Sequence, residues 1–217
     1  MSDRHVLLVH GWQSPTRGHW QLWLSAELRH LGWQVHFPRF PSPGTPVLRS
    51  WLPVLRDRLA SVPRGDELVV LAHCVGATLW LHHAATLGGR DRRVDRVLLA
   101  GLPGRGWNHP DLVGLRPPPP HSWSLRRAAG ITRMVCGSDD PIAPVRESEE
   151  WARALRIGLD VVPDAGHLDA ESGYGPWPGA LEWALDPRAE SVAAAGNPGP
   201  PADLGALHHR DVLDARR

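Results

Sequence analysis

Short apolar runs alternate along the chain with longer amphipathic segments, and this alternation is the main indication of its fold. The runs that we interpret as strands are four to seven residues long and lack polar alternation, which is typical of parallel strands covered by helices on both faces. These strands are predicted at residues 5–10, 34–38, 68–72, 94–100, 131–136 and 159–162. Helices are predicted at residues 20–31, 47–62, 77–87, 146–155 and 177–185.

The order of these elements predicts the architecture of the sheet. Strands that alternate with helices indicate an α/β domain with a doubly wound, mostly parallel sheet of about six strands. Right-handed crossovers favour the strand order 2-1-3-4-5-6. In such sheets ligands bind at the carboxyl ends of the strands where the order reverses, which here means between strands 1 and 3. The sequence therefore places the functional site where residues 10–12 and Cys74 follow these two strands.

Length and apolar pattern indicate one domain followed by a tail. At 217 residues and 23.9 kDa, the chain is long enough for one well-buried core, and we expect the α/β domain to span 1–186. The remainder, 187–217, has too little apolar pattern to fold and is predicted to be a flexible tail with one weak helical turn near 204–213. Residues 102–128 contain four consecutive prolines, so we expect a rigid irregular loop that lies over the site and no helical cap domain.

Charge and composition exclude several functions. The formal charge is +1 and the 24 basic residues are dispersed, so we expect no nucleic-acid partner. All of them are arginine, which excludes a lysine nucleophile and indicates a GC-rich bacterial genome. The first residues contain neither a signal-peptide core nor a membrane span, so we expect a cytoplasmic protein with no membrane partner. Oligomeric state is not predicted by any pattern in the chain.

Cys74 occupies the most informative position, directly after the third predicted strand. Ala72 lies two residues before it and Gly76 two residues after it. A sharp strand-to-helix turn requires small residues at these positions, and such a turn presents the nucleophile of α/β hydrolases. Residues 71–76 therefore predict a nucleophile elbow in which alanine replaces the first glycine and cysteine replaces serine.

Two further residues follow in the order in which this fold supplies an acid and then a base. Asp140 comes after the fifth strand, and His167 comes after the sixth in a glycine-containing loop that can bring its imidazole towards Cys74. We favour Asp140 over Asp139 as the acid because Pro141 fixes the turn after it. Asp139 is then available to cap the following helix.

The predicted oxyanion hole and substrate pocket lie around the same strand ends. The natural oxyanion donors are the backbone amides of Val75 and of Trp12. Trp20 has an alternative place, with Trp23, on the inner face of the first helix. His10 and His73 lack the spaced partners of a zinc site, so no metal and no cofactor are predicted. The candidate pocket residues are His10, Gly11, His19, Trp20 and Trp177.

A cysteine nucleophile favours a particular chemistry. A free thiol has a pKa of about 8.5, which a neighbouring imidazolium or a helix N-terminus lowers, so a cysteine at an elbow is able to form a thiolate paired with imidazolium. The acyl intermediate is then a thioester, which can pass its acyl group to amines, thiols or water. The second cysteine, Cys136, is predicted to pack in the core about 10 Å from Cys74, which is too far for a disulfide.

Four segments of the chain, HGWQSPTRGHWQLWL, AHCVGATL, SDDPIAP and GHLDAESGYGPWPGAL, resemble the small serine hydrolases of the retinoblastoma-binding-protein-9 and YdeN type. The resemblance spans about residues 4–186, and its most family-specific part is a histidine followed by SGxGxWP. It implies a minimal α/β-hydrolase fold without a cap, in which Cys74 matches the nucleophile, Asp140 the acid and His167 the base. The chain departs from the family pattern at Cys74, at Ala72 and in its tail.

Two functional hypotheses follow from these residues. The first is a cysteine hydrolase or acyltransferase that acts through Cys74, His167 and Asp140 on a small ester, thioester or lactone, free or attached to a carrier protein or coenzyme A. The second is a non-catalytic protein that keeps the hydrolase scaffold to bind a ligand or another protein. Retention of both the histidine and the acid favours the first, because a decayed site loses them as readily as its nucleophile.

Overall fold

A computed structural model of the chain describes residues 3–88 and 91–192. In this part of the chain, six strands form one parallel sheet in the order β2-β1-β3-β4-β5-β6. The predicted fold class and strand order are therefore confirmed. The strands are β1 Arg4–Val9, β2 Gln34–His36, β3 Glu67–His73, β4 Val94–Ala100, β5 Ala129–Gly137 and β6 Gly158–Val162.

The helices agree with the sequence prediction except in residues 102–128. The predicted irregular loop is wrong at both its middle and its end, since a 3-10 helix covers Pro110–Leu115 and an α-helix covers Ser122–Ala128. The imidazole of His121 caps the α-helix by accepting the N–H of Ser124 at 3.3 Å, a signal that the preceding prolines obscure. The α-helices of the described residues are α1 Trp20–His30, α2 Leu48–Ser61, α3 Val75–Ala85, α4 Ser122–Ala128, α5 Val145–Leu155 and α6 Pro178–Leu185.

Apolar side chains fill the space between the sheet and the helices on each of its faces. On one face, α2 and α3 bury Trp51 and Trp80 together with side chains from α4 and α5. On the other face, α1 and α6 bury Trp20 and Trp183. Large aromatic rings therefore supply much of the apolar area that both cores remove from water. None of the helices in the described ranges is long and apolar enough to cross a membrane.

The folded domain extends beyond the boundary predicted at residue 186. Val192 is 1% exposed, and its N–H donates to the Asp160 carboxylate at 2.9 Å. Residues 187–192 therefore pack on the domain and do not belong to a flexible tail. The sequence did not predict this packing, because these residues are attached through hydrogen bonds and a single buried valine, which give no apolar pattern. The rest of the predicted tail, including its helical turn at 204–213, lies outside the described residues.

Arg96 is a buried cation of β4 that holds the end of α6. Its guanidinium donates to three carbonyl oxygens there and pairs with Glu67 at 3.1 Å. The carbonyl oxygen of Asp186 also accepts the N–H of Ala189, but those of Trp183 and Ala184 lie in the last turn and have no partner within the helix, so removal of the guanidinium leaves these two buried acceptors unpaired. We expect Arg96→Met to lower the free energy of unfolding by about 3 kcal/mol, measured by urea denaturation. Arg188→Met, at an exposed position, is the control. Equal urea midpoints for the two variants would contradict the stabilising role of Arg96.

Candidate active site

Cys74 joins β3 to α3 in a backbone conformation that few residues other than glycine adopt. Its φ is 53° and its ψ is −125°, and strain of this kind persists only where the surroundings enforce it. One restraint is the hydrogen bond from the N–H of Cys74 to the carbonyl oxygen of Ala100 at 2.9 Å. The side chain is 4% exposed. This sharp turn at the carboxyl end of a central strand is the geometry of a nucleophile elbow.

Close backbone contacts explain why glycines surround Cys74. A Cβ at Gly76 would lie 2.5 Å from the carbonyl oxygen of His10 and 2.6 Å from that of Val9. A Cβ at Gly11 would lie 2.8 Å from the Cβ of Cys74. The end of β1 and the loop after it therefore run directly against the elbow, and neither position has room for a side chain.

Two backbone amides near Cys74 are available to an incoming oxygen atom. Val75 is the first residue of α3, so its N–H has no acceptor within the helix. The N–H of Trp12 follows Gly11, which contacts Cys74. Among the described residues neither amide donates a hydrogen bond. Two unpaired donors, one of them at the N-terminus of a helix, can stabilise a negatively charged oxygen.

His167 and Asp140 form a buried pair beside the elbow. The imidazole Nδ1 lies 2.8 Å from the Oδ2 of Asp140, and the two side chains are 7% and 0% exposed. The second carboxylate oxygen accepts the N–H groups of Ile142 and Ala143 at 2.8 and 3.0 Å. These bonds hold the carboxylate in one orientation, and the carboxylate in turn orients the ring. The Nε2 of His167 is buried, with no hydrogen-bond partner of ordinary geometry among the described residues.

The loop that carries His167 is fixed by two side chains that the sequence did not assign to the site. Asp139 accepts the N–H of Gly166 at 2.7 Å, so the alternative prediction that Asp139 caps the next helix is wrong. The Oγ of Ser172 accepts the N–H of His167 at 3.1 Å and donates to Asp169 at 2.8 Å. Ser172 is the serine of the SGxGxWP motif, so this motif was a sequence signal that could have identified it.

The charge state of His167 depends on Cys74 and Asp140. Burial disfavours the imidazolium, but the negative charge of the Cys74 sulfur, the hydrogen bond to Asp140 and the hydrogen bond to Cys74 together raise the pKa of His167 well above its usual value. His167 therefore keeps its proton at a higher pH than an ordinary imidazole does.

Three other histidines near His167 stay neutral. Burial lowers the pKa of His10, lowers that of His19 to about 4, and lowers that of His73 well below its usual value. The Nε2 of His73 lies 2.9 Å from the carbonyl oxygen of His167, and a carbonyl can only accept, so this nitrogen donates. The ring of His73 therefore supports the loop of His167, and none of the three rings places a further positive charge beside it.

Most of the predicted pocket residues lie beneath the site and not in an open pocket. Trp20 and Trp177 are 0% and 1% exposed and pack against each other at 5.0 Å between ring centroids, so neither offers surface to a substrate. Trp20 occupies the inner face of α1, the alternative that the sequence left open. His10 is buried against core aromatic rings, and His19 caps the start of α1. Gly11 contacts the elbow, as described above.

The cavity that does open beside the elbow is formed largely by residues 102–128, the segment that was predicted to lie over the site. It lies between Val75 and Thr78 on α3 and the chain that follows β4, with about 290 Å³ of free space including the solvent at its mouth. The ring of Trp12 packs on His109 at 4.3 Å and faces Trp107 at 6.4 Å between centroids, so aromatic rings surround its entrance. The sequence could not assign Trp107 and His109 to the site, because their segment has no regular apolar pattern.

One cluster of metal-binding residue types lies apart from Cys74, at the amino ends of the strands. In the described residues, ligand atoms of Asp3, His5 and Asp66 lie within 4.8 Å of one another. His5 bonds Asp66 through Nε2 at 3.2 Å and His36 through Nδ1 at 2.9 Å. These hydrogen bonds satisfy both ring nitrogens of His5 without an ion.

Comparison with known proteins identifies the family. The family model described as serine hydrolase matches residues 6–184. The chain belongs to this serine hydrolase family. The chain is similar to YdeN of Bacillus subtilis, with 25% identity over 174 residues that cover 79% of this chain and 89% of YdeN. The predicted likeness to YdeN is therefore confirmed, whereas the likeness to retinoblastoma-binding protein 9 stays a prediction.

Solved structures of relatives share the fold. The crystal structure of the ydeN gene product of B. subtilis has a TM-score of 0.72 at 22% identity and covers 84% of this chain and 97% of its own. A YdeN-like protein of Pectobacterium atrosepticum has a TM-score of 0.66 at 23% identity, with coverages of 85% and 91%. Together with the family match, these structures make the chain a hydrolase of the α/β-hydrolase type.

Proposed function

We propose that this member of the serine hydrolase family uses Cys74 as its nucleophile and transfers the acyl group of a small ester, thioester or lactone through a covalent thioester. The observation that carries the proposal is the arrangement of three side chains. A strained elbow presents Cys74, the Nε2 of His167 is left without an ordinary partner, and Asp140 holds the opposite nitrogen at 2.8 Å. Nucleophile, acid and base follow one another in the chain order of α/β hydrolases.

In the first half of the reaction the Cys74 thiolate attacks the acyl carbonyl carbon. The carbon–sulfur bond forms, and the carbonyl oxygen becomes an oxyanion that accepts the N–H groups of Val75 and Trp12. The bond to the leaving group then breaks as the imidazolium of His167 gives its Nε2 proton to that group. The products of this step are an acyl thioester on Cys74, a neutral His167 and the released alcohol or thiol.

In the second half an acceptor removes the acyl group from Cys74. His167 takes a proton from water, or from an amine or thiol acceptor, as that group attacks the thioester carbonyl. The carbon–sulfur bond breaks, the thiolate returns and His167 is again an imidazolium. Asp140 stays ionised throughout, stabilising the charged ring and holding its orientation. Water as acceptor gives hydrolysis, and an amine or thiol gives acyl transfer.

A purely ligand-binding role accounts less well for the same features. The backbone conformation at Cys74 costs on the order of 1–3 kcal/mol, and a binding protein gains nothing from it. The buried His167 and Asp140 also need the hydrogen bonds from Ile142 and Ala143 to stay oriented. Acyl transfer uses both the strain and the orientation.

An acyl adduct on Cys74 is the expected result of incubating the protein with a butyryl thioester of N-acetylcysteamine. Intact-mass measurement should show the adduct on the native protein and on Cys136→Ala, because Cys136 is 1% exposed and burial raises the pKa of its thiol. Cys74→Ala should show none, and Cys74→Ser separates the effect of the sulfur from that of the site.

Alkylation by iodoacetamide gives an independent measure of the same site. Cys74 should react faster than Cys136 at neutral pH, and His167→Ala should slow the reaction of Cys74 alone. The proposal fails if both thiols react slowly and equally, or if the acyl adduct survives the loss of Cys74.

A further inference from the structure

A wide cleft continues outward from the small cavity beside Val75. The cavity and the cleft share four lining residues, so they adjoin each other, and we take them together as one path from Val75 to the surface. The free space, including the adjoining open solvent, is about 290 Å³ at the cavity and about 1060 Å³ at the cleft. A substrate whose reacting carbonyl lies at Val75 can therefore extend into the cleft. The shared residues are Trp107, Asn108, Arg116 and Pro117.

The charged residues that line this cleft are both basic. Arg105 and Arg116 line it together with the amide of Asn108, and none of its described lining residues is acidic. The other walls are Gly106, Trp107 and residues 117–120, which carry no charge. The Glu147 carboxylate borders the cleft, where it accepts the N–H of Gly106 at 3.2 Å, but it forms no ion pair with either arginine among the described residues. The chain as a whole has a formal charge of only +1, so two arginines in one cleft are a local feature.

Both arginines are held in place by contacts that leave their charge unpaired. The backbone oxygen of Arg116 accepts the Nε2 of His82 at 2.7 Å, which attaches this residue to α3. One terminal nitrogen of Arg116 donates to Asn108 at 2.6 Å, and the rest of its guanidinium has no partner among the described residues. The guanidinium of Arg105 lies over the Trp151 ring, 4.6 Å from its centroid. A held guanidinium with free N–H groups matches the geometry of a carboxylate or phosphate.

The inner cavity offers a further polar contact. Thr78 lies one helical turn after Cys74, is 0% exposed, and its Oγ1 has no hydrogen-bond partner among the described residues. Leu112 and Leu115, which also line this cavity, are apolar. A buried hydroxyl without a hydrogen-bond partner is costly, and an oxygen atom of a bound substrate would supply the missing acceptor. The path thus combines a short apolar section at the elbow with polar and cationic groups farther out.

We propose that the substrate is a short acyl compound carrying an oxyanion, either a carboxylate or a phosphate, and that Arg116 and Arg105 bind this group in the cleft. The inference rests on the proposed function, because it takes the acyl carbonyl to lie at Cys74 and Val75. A carboxylate belongs to the acyl chain of a diacid, and a phosphate belongs to a leaving group of the phosphopantetheine type. Arg116 and Arg105 are specificity-determining residues and take no part in the proton transfers.

Two pairs of substrates test the proposal and distinguish the two sources of charge. The first pair is the mono-4-nitrophenyl ester of glutaric acid and 4-nitrophenyl butyrate. The second is the butyryl thioester of 4′-phosphopantetheine and that of N-acetylcysteamine. We expect the charged member of one pair to have a KM at least about tenfold lower than its neutral partner. Arg116→Gln should remove this preference mainly through a rise in the KM of the charged substrate, and Arg105→Gln should weaken it.

Arg188→Gln is the matched control, because its exposed side chain pairs only with Asp186, away from the cleft. It removes the same charge, so an unchanged preference in this variant separates local binding from an effect of net charge. Equal KM values within both substrate pairs of the native protein would overturn the proposal. So would an Arg116→Gln variant that, with an unchanged melting temperature, keeps the preference. An acyl adduct on Cys74 in these same samples would leave the proposed function standing.

Discussion

Asp140→Asn is expected to lower the turnover of an acyl substrate by about 10³- to 10⁴-fold. The substitution keeps an oxygen that can accept the N–H groups of Ile142 and Ala143, so the turn should be preserved. It removes the negative charge that stabilises the imidazolium of His167 and the acceptor that fixes the proton on Nδ1. The ring is then free to adopt the wrong tautomer, and the charged form that protonates the leaving group is less stable.

The same substitution should change the pH dependence of Cys74 alkylation. Asp140 is one of the groups that raise the pKa of His167, so its loss lowers that pKa and the imidazolium loses its proton at lower pH. The alkylation rate of Cys74, followed with iodoacetamide from acidic to alkaline pH, should therefore fall at neutral pH relative to the native protein.

Asp139→Asn is a matched control for Asp140→Asn, with the same chemical change one residue away. The Asp139 side chain accepts the N–H of Gly166 and does not touch the imidazole, and an asparagine oxygen can accept the same bond. We expect a modest loss of turnover and an unshifted pH profile. Equal losses in the two variants would show that the turn, and not the carboxylate beside His167, accounts for the effect.

The fold and the elbow could be predicted because local and tertiary preferences agree there. The predicted and observed strands are the same at Val94–Ala100, because almost all of this segment is buried in the sheet. Cys74 was identified because the elbow needs small neighbours, and the contacts of Gly76 with His10 and Val9 show the steric reason. Asp140 could be preferred over Asp139 because a proline restricts the turn that follows, and Asp140 is the residue that bonds His167.

The sequence predicted that residues 102–128 lie over the site, but it could not identify which of their side chains line the cavity beside Val75, because these residues have no periodic pattern. A tryptophan at a strand end, such as Trp177, has the same local sequence signal in a pocket wall as in a core, and here it packs in the core. Trp107 and Arg116 reach the cavity through a proline-rich segment whose path depends on contacts with α3, such as the bond from His82. Only the tertiary structure brings these residues to Cys74.

Gly76→Ala is expected to lower the free energy of unfolding by about 3 kcal/mol and to abolish the preferential alkylation of Cys74. The added Cβ would lie 2.5 and 2.6 Å from the carbonyl oxygens of His10 and Val9. Backbone oxygens cannot rotate away as side-chain ends can, so the start of α3 and the end of β1 must separate. That movement displaces the amides of Val75 and Trp12, which removes the proposed oxyanion hole together with the elbow geometry.

Gly65→Ala is the control, because a Cβ there meets no atom within 4 Å and the residue has an ordinary φ. Urea denaturation should give this variant native stability, and alkylation should proceed at the native rate. The two measurements on Gly76→Ala also separate its two effects. If stability falls but the rate of Cys74 alkylation is native, the close approach of β1 supports the fold and not the reactive geometry. If neither changes, the backbone relaxes at little cost, and the explanation for glycine at this position is wrong.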